Sequence, residues 1–244
     1  MTLILYYHPF SSYCQKAMMA LYEKELAFSP FLIDLADPTA RAQFAAVWPY
    51  AKFPVLHDIS AGVTLPESTI IAEYADALGT AGPRLIPADP AEARSVRLFD
   101  RTLDNYLHTP MQKIVGDRLR PAGKGDPHGV EEARATLATT YKLLESRLSD
   151  VGWMAGGNFT LADCAAVPPL FYAARVAPLT GHRRLLAYLE RAMQRASFRR
   201  CLDEARRFRS FFPAAPSDAP WPDEAGAAAQ PVAPIPDQDD RIAF

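Results

Sequence analysis

The stretch YYHPFSSYCQKAMMAL, from Tyr6 to Leu21, begins as the end of a strand and continues as a helix. The apolar run LILYY at residues 3–7 predicts the strand, and His8-Pro9 interrupts it. Residues from Ser12 to Leu26 then have the apolar spacing of a helix. Because the free N–H groups at a helix start favour an anion, the turn at Ser11 is a candidate site for a thiolate.

Ser11 has two interpretations. It is a helix N-cap, which is the commoner role of a serine at this position, or its hydroxyl donates a hydrogen bond to a bound thiolate. Lowering a thiol pKa by about two units requires ~2.7 kcal/mol. A charged hydrogen bond of ~1.5–3 kcal/mol and a helix terminus of ~0.3–1 kcal/mol together supply that amount. Ser12 is the alternative to Ser11, since a small shift of the helix start exchanges the two serines.

The first eighty residues alternate short apolar runs with helical stretches. After the first strand and helix, PFLIDL predicts a strand, and residues from Pro38 to Val47 predict a helix behind an Asp37 cap. FPVLHD and GVTL predict a hairpin, and a further helix is predicted from Pro66 to Leu78. The order βαβαββα indicates a small α/β domain over residues 1–80, in which long crossovers force some parallel pairing.

The rest of the chain divides into a linker, a helical domain and a tail. A Gly/Pro-rich linker at residues 81–91 precedes an all-α domain at 92–212, and a Pro/Ala-rich tail at 213–244 is expected to be extended or disordered, or to pack back through Trp221 and Phe244. Pro110 is expected to kink or break the first helix. The helices are predicted at Ala91–Leu119, Val130–Ser149, Thr160–Arg175 and Arg183–Arg209.

Composition excludes several classes of protein. The chain has 244 residues, 49% hydrophobic and 22% charged, with a net charge of -2, so nothing global indicates nucleic acid or an anionic membrane as partner. No apolar run approaches the ~18 residues of a membrane span, and a cytoplasmic location is expected. Three cysteines and five histidines without metal-ligand spacing indicate neither disulfides nor a metal site. The arginines at residues 195–209 are interpreted as a solvated helix face.

Two further stretches suit the ends of a peptide ligand. In AKFPVL, a cis Phe53-Pro54 bond would present the Phe53 backbone sideways, where it can pair with an extended peptide. In LPESTIIAEY, Glu67 and Ser68 stand at a helix start. The helix terminus and the Ser68 hydroxyl suit a carboxylate and Glu67 suits an ammonium, although an acidic residue in a first turn more often only matches the helix dipole.

A thiolate site, a backbone clamp and an amino-acid clamp, in that order, describe a receptor for γ-glutamyl-cysteinyl-glycine. The motifs SSYCQKAMMAL, KFPVL, PESTIIAEYADAL and GGNFTLADCAAVP resemble those of the glutathione transferase superfamily over residues 1–212. The resemblance is to bacterial-type, serine-containing cytosolic glutathione S-transferases. It implies a thioredoxin-like α/β domain followed by an all-α helical-bundle domain. Thr160 and Asp163 of the last motif are interpreted as a capping box, with a structural role.

The resemblance implies roles for individual residues. Ser11 takes the place of the residue that activates glutathione, the co-substrate. Cys14 falls where glutaredoxins carry their second cysteine, while Ser11 replaces their nucleophile, so disulfide reduction is not expected. The implied glutathione-binding residues are Lys52, Phe53, Pro54, Glu67 and Ser68. The implied electrophile pocket consists of Phe10, Tyr13, Tyr106 and Met111, each of which also fits an ordinary core role.

The implied activity is that of a glutathione S-transferase, which activates the glutathione thiol for attack on small electrophilic compounds. The resemblance also implies a two-fold homodimer. Two alternatives stay open at this point: a glutathione-dependent isomerase, lyase or dehalogenase on the same site, and a non-catalytic interaction module with the same fold.

Overall fold

The computed structural model describes residues 2–224 of the chain. A four-stranded sheet with the strand order β2-β1-β3-β4 forms the first part, with β1 parallel to β2 and the other pairs antiparallel. The predicted order βαβαββα is therefore confirmed. The strands are β1 (Leu3–Tyr7), β2 (Ser29–Leu32), β3 (Val55–Asp58) and β4 (Val63–Pro66), and the helices are α1 (Ser12–Glu23), α2 (Pro38–Val47) and α3 (Ser68–Leu78).

Helices make up the second part, which confirms the predicted fold class of an α/β domain followed by an all-α domain. The predicted helix Arg183–Arg209 is divided in two, and the predicted helix Ala91–Leu119 contains a π-helical turn between two α-helical segments. The domain limits drawn from the sequence stay predictions. The helices are α4 (Pro90–Leu103), a π-helical turn (Asp104–His108), α5 (Thr109–Asp117), α6 (Pro127–Arg147), α7 (Leu161–Val176), α8 (Arg183–Met193) and α9 (Ala196–Arg206), with a 3-10 turn at Arg209–Phe211.

The sequence predicts that Pro110 kinks or breaks the first helix, and the structure shows no break there, since helical residues run from α4 through the π turn into α5. Pro110 lies in the first turn of α5, directly after the π turn. A proline has no N–H to donate to the carbonyl four residues earlier, here that of Tyr106. The Thr140 hydroxyl donates to this carbonyl instead, at 2.8 Å, and the Thr109 hydroxyl donates to the Asp104 carbonyl at 2.9 Å. The wider turn and these two hydroxyls carry the helix past the proline.

The break between α8 and α9 brings the last helix against α1. Arg195 has an extended backbone, with ψ 133°, and its guanidinium pairs with the Glu23 carboxylate at 2.6 Å. The Ser197 hydroxyl also bonds to Glu23, which lies at the end of α1. At the other end of α9, the ring of Phe208 contacts that of His8, just before α1. Helix α9 thus runs antiparallel to α1 and ends beside the start of α1.

The core holds α1 between the sheet and the helical domain. Alternate residues of β1 face opposite sides, as a strand requires. Leu3, Leu5 and Tyr7 join the large cluster that contains α1 and the helices packed on it, whereas Ile4 and Tyr6 join a small cluster under α2. The start of α1 is therefore fixed by packing from both domains.

The beginning of the tail packs on its own chain. Trp221 is buried, its ring stacks on Phe171 at 5.6 Å, and the Arg175 guanidinium lies 4.4 Å from it. Asp218 forms an ion pair with Arg118 at 2.8 Å. The structure thus favours packing for residues 213–224 through Trp221, and Phe244, the other predicted contact, lies outside the described residues.

Candidate glutathione site

Ser11 caps α1 and keeps its own proton available. Its backbone is extended, with ψ 121°, and its side-chain oxygen accepts the Cys14 N–H at 3.3 Å. Its N–H donates to the His8 carbonyl at 2.9 Å, which fixes the turn. A hydroxyl donates one hydrogen bond while accepting others. The N-cap role and the thiolate-binding role are therefore compatible in Ser11.

Ser12 is held by the helical domain instead. Its side chain is buried, and its Oγ lies 2.5 Å from Nε2 of His108, in the π turn. The Tyr13 ring stacks on His108 with centroids 3.5 Å apart. Burial, with the charge of Lys16 adding to it, lowers the pKa of His108 well below its usual value, so the imidazole is neutral at pH 7. Of the two serines, Ser11 is the one whose hydroxyl contacts no other side chain within residues 2–224.

A buried ionic network ties the starts of α1 and α3 to α4. Lys16 is fully buried and pairs with Asp100 at 2.7 Å and Asp104 at 2.9 Å. Thr69, the second residue of α3, accepts from Lys16 at 2.9 Å and donates to Asp100 at 3.0 Å. Burial raises the pKa of Asp104, and the charge of Lys16 opposes that shift. This network was not predicted from the sequence.

The start of α3 is open. Glu67 has φ +72°, in a region that non-glycine residues rarely occupy, and makes no cap hydrogen bond. Its exposed carboxylate and the hydroxyl of the buried Ser68 have no hydrogen-bonding or ionic partner within residues 2–224. The charge of Glu67 nevertheless reaches Tyr13, whose pKa burial and nearby acids raise to about 12. The Glu67–Ser68 turn therefore leaves both polar side chains free on the side of the molecule where α1 starts.

The Phe53–Pro54 peptide is cis, and Pro54 is buried. Neither the N–H nor the carbonyl of Phe53 is hydrogen-bonded in the described part of the chain. Lys52 beside it is exposed and has no acidic partner there. The Phe53 ring stacks 6.2 Å from His8, which holds the N–H of Ser11. His8 thus contacts the Phe53 side chain through its ring and the Ser11 turn through its backbone.

The four residues of the expected electrophile pocket lie in different surroundings. Phe10 packs on Tyr172 at 5.4 Å and on Trp221 at 6.1 Å. Tyr13 covers His108, Tyr106 is 54% exposed, and Met111 is buried in the large core cluster. Met111 therefore has little surface to offer a ligand, and the pocket as a set stays a prediction.

Sequence reasoning missed an aromatic contact beside Ser11. The His8 ring lies 4.6 Å from that of Phe208, two residues beyond the last residue of α9, and its Nδ1 accepts the Phe10 N–H at 3.2 Å. From the sequence, His8 is predicted only to interrupt the first strand together with Pro9. An aromatic residue at the end of the last basic helix was the available signal, but nothing local indicates that it returns to the first strand.

The three cysteines of the chain are buried. Cys14 is fully buried, and burial raises the pKa of its thiol to about 12. The thiol is therefore protonated at pH 7. Cys14, Cys164 and Cys201 are all free thiols. Within residues 2–224, no group of three His, Cys, Asp or Glu side chains could hold a metal ion, and no described helix is long and apolar enough to cross a membrane.

The fold combines a thioredoxin-like sheet, a cis-proline, an open start of α3 and a helical domain. Comparison with known protein families identifies the class of protein that has these features. The glutathione S-transferase N-terminal domain matches residues 5–81, and the C-terminal domain of that family matches residues 127–191. The chain belongs to the glutathione S-transferase family. The serine-containing bacterial subclass stays a prediction.

Individual relatives show the same family. Glutathione S-transferase PARB of Nicotiana tabacum is 25% identical over 169 residues, covering 67% of this chain and 78% of that protein. FtsZ-localized protein A of Caulobacter vibrioides is 30% identical over 176 residues, covering 68% and 75%. A glutathione S-transferase from Methylobacillus flagellatus, solved with glutathione bound, is 27% identical with a TM-score of 0.74, covering 82% of this chain and 98% of that one.

Proposed function

We propose that the protein is a glutathione transferase that binds glutathione and uses Ser11 to activate its thiol for attack on small electrophilic compounds. The observation that carries this proposal is the set of free polar groups around the start of α1: the Ser11 hydroxyl proton, the Phe53 backbone and the Glu67–Ser68 turn. Buried or half-buried polar groups normally have partners, so a set left free suits a ligand. The relative solved with glutathione bound supports this choice of ligand.

Each free group matches one part of glutathione. The Glu67 carboxylate suits the α-ammonium of the γ-glutamyl end, and the Ser68 hydroxyl with the first N–H groups of α3 suits its α-carboxylate. The Phe53 backbone pairs with the cysteinyl residue as a strand would, and Lys52 binds the glycyl carboxylate. The positive φ of Glu67 destabilises the folded state by roughly 1–3 kcal/mol, and residues with such strained backbones concentrate at ligand sites.

The Ser11 hydroxyl stabilises the thiolate. It donates a hydrogen bond to the sulfur, while the positive end of α1 favours the negative charge. The thiol proton leaves to solvent, and the sulfur forms a bond to the electrophilic carbon. Either a leaving group departs with its electron pair, or a neighbouring carbon takes a proton from water.

The test of this mechanism is the thiol titration of bound glutathione. Ser11→Ala should raise the thiol pKa by at least about one unit, because the charged hydrogen bond is lost, while glutathione affinity changes little. Thiolate absorbance against pH measures the shift. Ser12→Ala is the matched control, since its hydroxyl bonds to His108, and it should leave the titration unchanged. A shift in Ser12→Ala together with an unaltered Ser11→Ala would transfer the role to Ser12.

We also infer a two-fold homodimer. Ile70 of α3 is 48% exposed and Leu98 of α4 is 66% exposed, and apolar side chains on neighbouring helices suit a subunit contact. Light scattering at micromolar concentration should report twice the 26.9 kDa of one chain. The pair Ile70→Asp and Leu98→Asp should give the single-chain mass. A wild-type mass of one chain would contradict the dimer.

A further inference from the structure

A row of aromatic rings leads away from Ser11. Phe53 stacks on His8 with centroids 6.2 Å apart and planes 24° apart, and His8 contacts Phe208 at 4.6 Å. All three side chains are half-buried, so each keeps part of its surface open. The backbone carbonyl of His8 accepts the Ser11 N–H at 2.9 Å, so the residue at the middle of the row adjoins the Ser11 turn.

The middle ring of this row is uncharged. The Nδ1 of His8 accepts the Phe10 N–H, which assigns the ring proton to Nε2. Burial lowers the pKa of His8, and the charge of Arg207 acts in the same direction while Asp34 opposes it. The imidazole is therefore neutral at pH 7.

A cation without an acidic partner ends the row. The Arg207 guanidinium lies 4.6 Å from the Phe208 ring, is exposed, and forms no ion pair or hydrogen bond in the part of the chain that the structure describes. Its neighbours Arg206 and Arg209 both pair with Asp223, at 3.4 and 2.5 Å. The Asp34 carboxylate accepts the Ala36 N–H and does not form an ion pair with Arg207. Arg207 therefore has no counter-ion within residues 2–224.

We propose that the second substrate is a flat aromatic electrophile that carries a carboxylate. Its ring lies on His8 and Phe208, and its carboxylate pairs with the Arg207 guanidinium, whose planar donors match a carboxylate. This inference rests on the proposed function, because bound glutathione is what places the reacting sulfur beside Ser11. It assigns to Arg207 a role in specificity, since the carboxylate is held and does not react.

The probe para-chloro-meta-nitrobenzoate has these features. The thiolate sulfur attacks the ring carbon that bears chlorine, a C–S bond forms, and the electron pair moves into the nitro-substituted ring. The C–Cl bond then breaks and chloride leaves with its electron pair. The thiol proton has already gone to solvent, so the step needs no oxidant, reductant or further co-reactant.

The experiment compares this acid with its neutral counterpart, para-chloro-meta-nitrobenzamide. The ratio of kcat/KM for the acid to kcat/KM for the amide removes effects that both compounds share. Arg207→Met should lower this ratio about two- to fivefold, mainly through KM for the acid, as expected for one exposed ion pair. Raising the salt concentration should lower the wild-type ratio in the same direction, because exposed charges are screened.

Arg199→Met is the matched control. Arg199 is an exposed cation of α9, the helix that ends just before Arg207, but it bonds to Gln194 at the far end of that helix. Its loss removes the same charge, so an unchanged ratio in this variant supports a local role for Arg207. An equal fall in both variants would overturn the proposal, because the effect would then come from net charge alone.

Calorimetry separates this proposal from the proposed function. Wild-type protein and Arg207→Met are titrated with glutathione, and then with the acid and the amide. Tighter binding of the acid than of the amide by the wild type alone supports the Arg207 site, whether or not conjugation is observed. Equal binding of the acid by both proteins, with normal glutathione binding, overturns it. Absence of glutathione binding would contradict the proposed function, and the acid and amide titrations would still decide the role of Arg207.

Discussion

Helices α7 and α3 both begin with a hydroxyl residue close to a carboxylate, yet the two starts differ. At α7, the Thr160 hydroxyl accepts the Ala162 N–H at 3.3 Å, and Asp163 accepts the Thr160 N–H at 2.8 Å. Asp163 also accepts the Met154 N–H at 2.7 Å and the Tyr188 hydroxyl at 2.9 Å. Every polar group at this start has a partner within the protein.

At α3, by contrast, the side chains of Glu67 and Ser68 have no such partners among residues 2–224, and Glu67 has a strained backbone. A hydroxyl residue and an acidic residue at a helix start can therefore be fully hydrogen-bonded within the protein, as at α7, or left without partners, as at α3. What distinguishes the two starts is the hydrogen-bonding capacity that remains. A completed start stabilises the fold, and an incomplete one is available to a ligand.

The largest expected effect comes from opening the completed start. Asp163→Ala removes an acceptor from two backbone N–H groups and two hydroxyls that are buried with it. Each unsatisfied buried group costs about 1–3 kcal/mol, so the free energy of unfolding should fall by roughly 3–5 kcal/mol. Urea unfolding followed by circular dichroism measures the loss.

The matching change at the incomplete start is Ser68→Ala, which should alter the free energy of unfolding by less than about 0.5 kcal/mol, because no hydrogen bond within the described residues is lost. Equal destabilisation by both changes would show that the two helix starts contribute equally to the stability of the fold. Folded Asp163→Ala should still bind glutathione with wild-type affinity.

Features that depend on neighbouring residues could be predicted from the sequence. The strand and helix order, the bounds of α2 behind Asp37, and the capping box of Thr160 and Asp163 all have local signals, and all were found. The division between α8 and α9 was not, and Arg195 at that division contacts Glu23, which is distant in sequence. Local periodicity continues through that point.

In the candidate site, too, residues in local motifs could be predicted, whereas contacts between distant residues could not. The serines, Glu67 and Ser68 stand in recognisable motifs, but the choice between Ser11 and Ser12 depends on His108, which no local pattern connects to α1. Lys16 and its carboxylates, and the contact of His8 with Phe208, also join residues far apart in sequence. Such contacts are products of the tertiary fold, and a single sequence does not contain them.

A smaller effect, on binding and not on folding, is expected from the incomplete start. Glu67→Ala and Ser68→Ala should each weaken glutathione binding by ~1–3 kcal/mol, the usual loss for one charge-assisted hydrogen bond. Glu67→Gln should retain part of the affinity, because the amide oxygen can still accept from the ammonium. Calorimetry on folded variants measures these differences.

Glu73→Ala is the control for this prediction. Glu73 lies on the same helix and carries the same charge, but its carboxylate already pairs with Arg97 at 3.0 Å, so glutathione affinity should not change. If Glu67→Ala and Ser68→Ala both bind glutathione as the wild type does, the γ-glutamyl site lies elsewhere. The free carboxylate and the strained backbone at the start of α3 would then need a different ligand, since a helix cap explains neither.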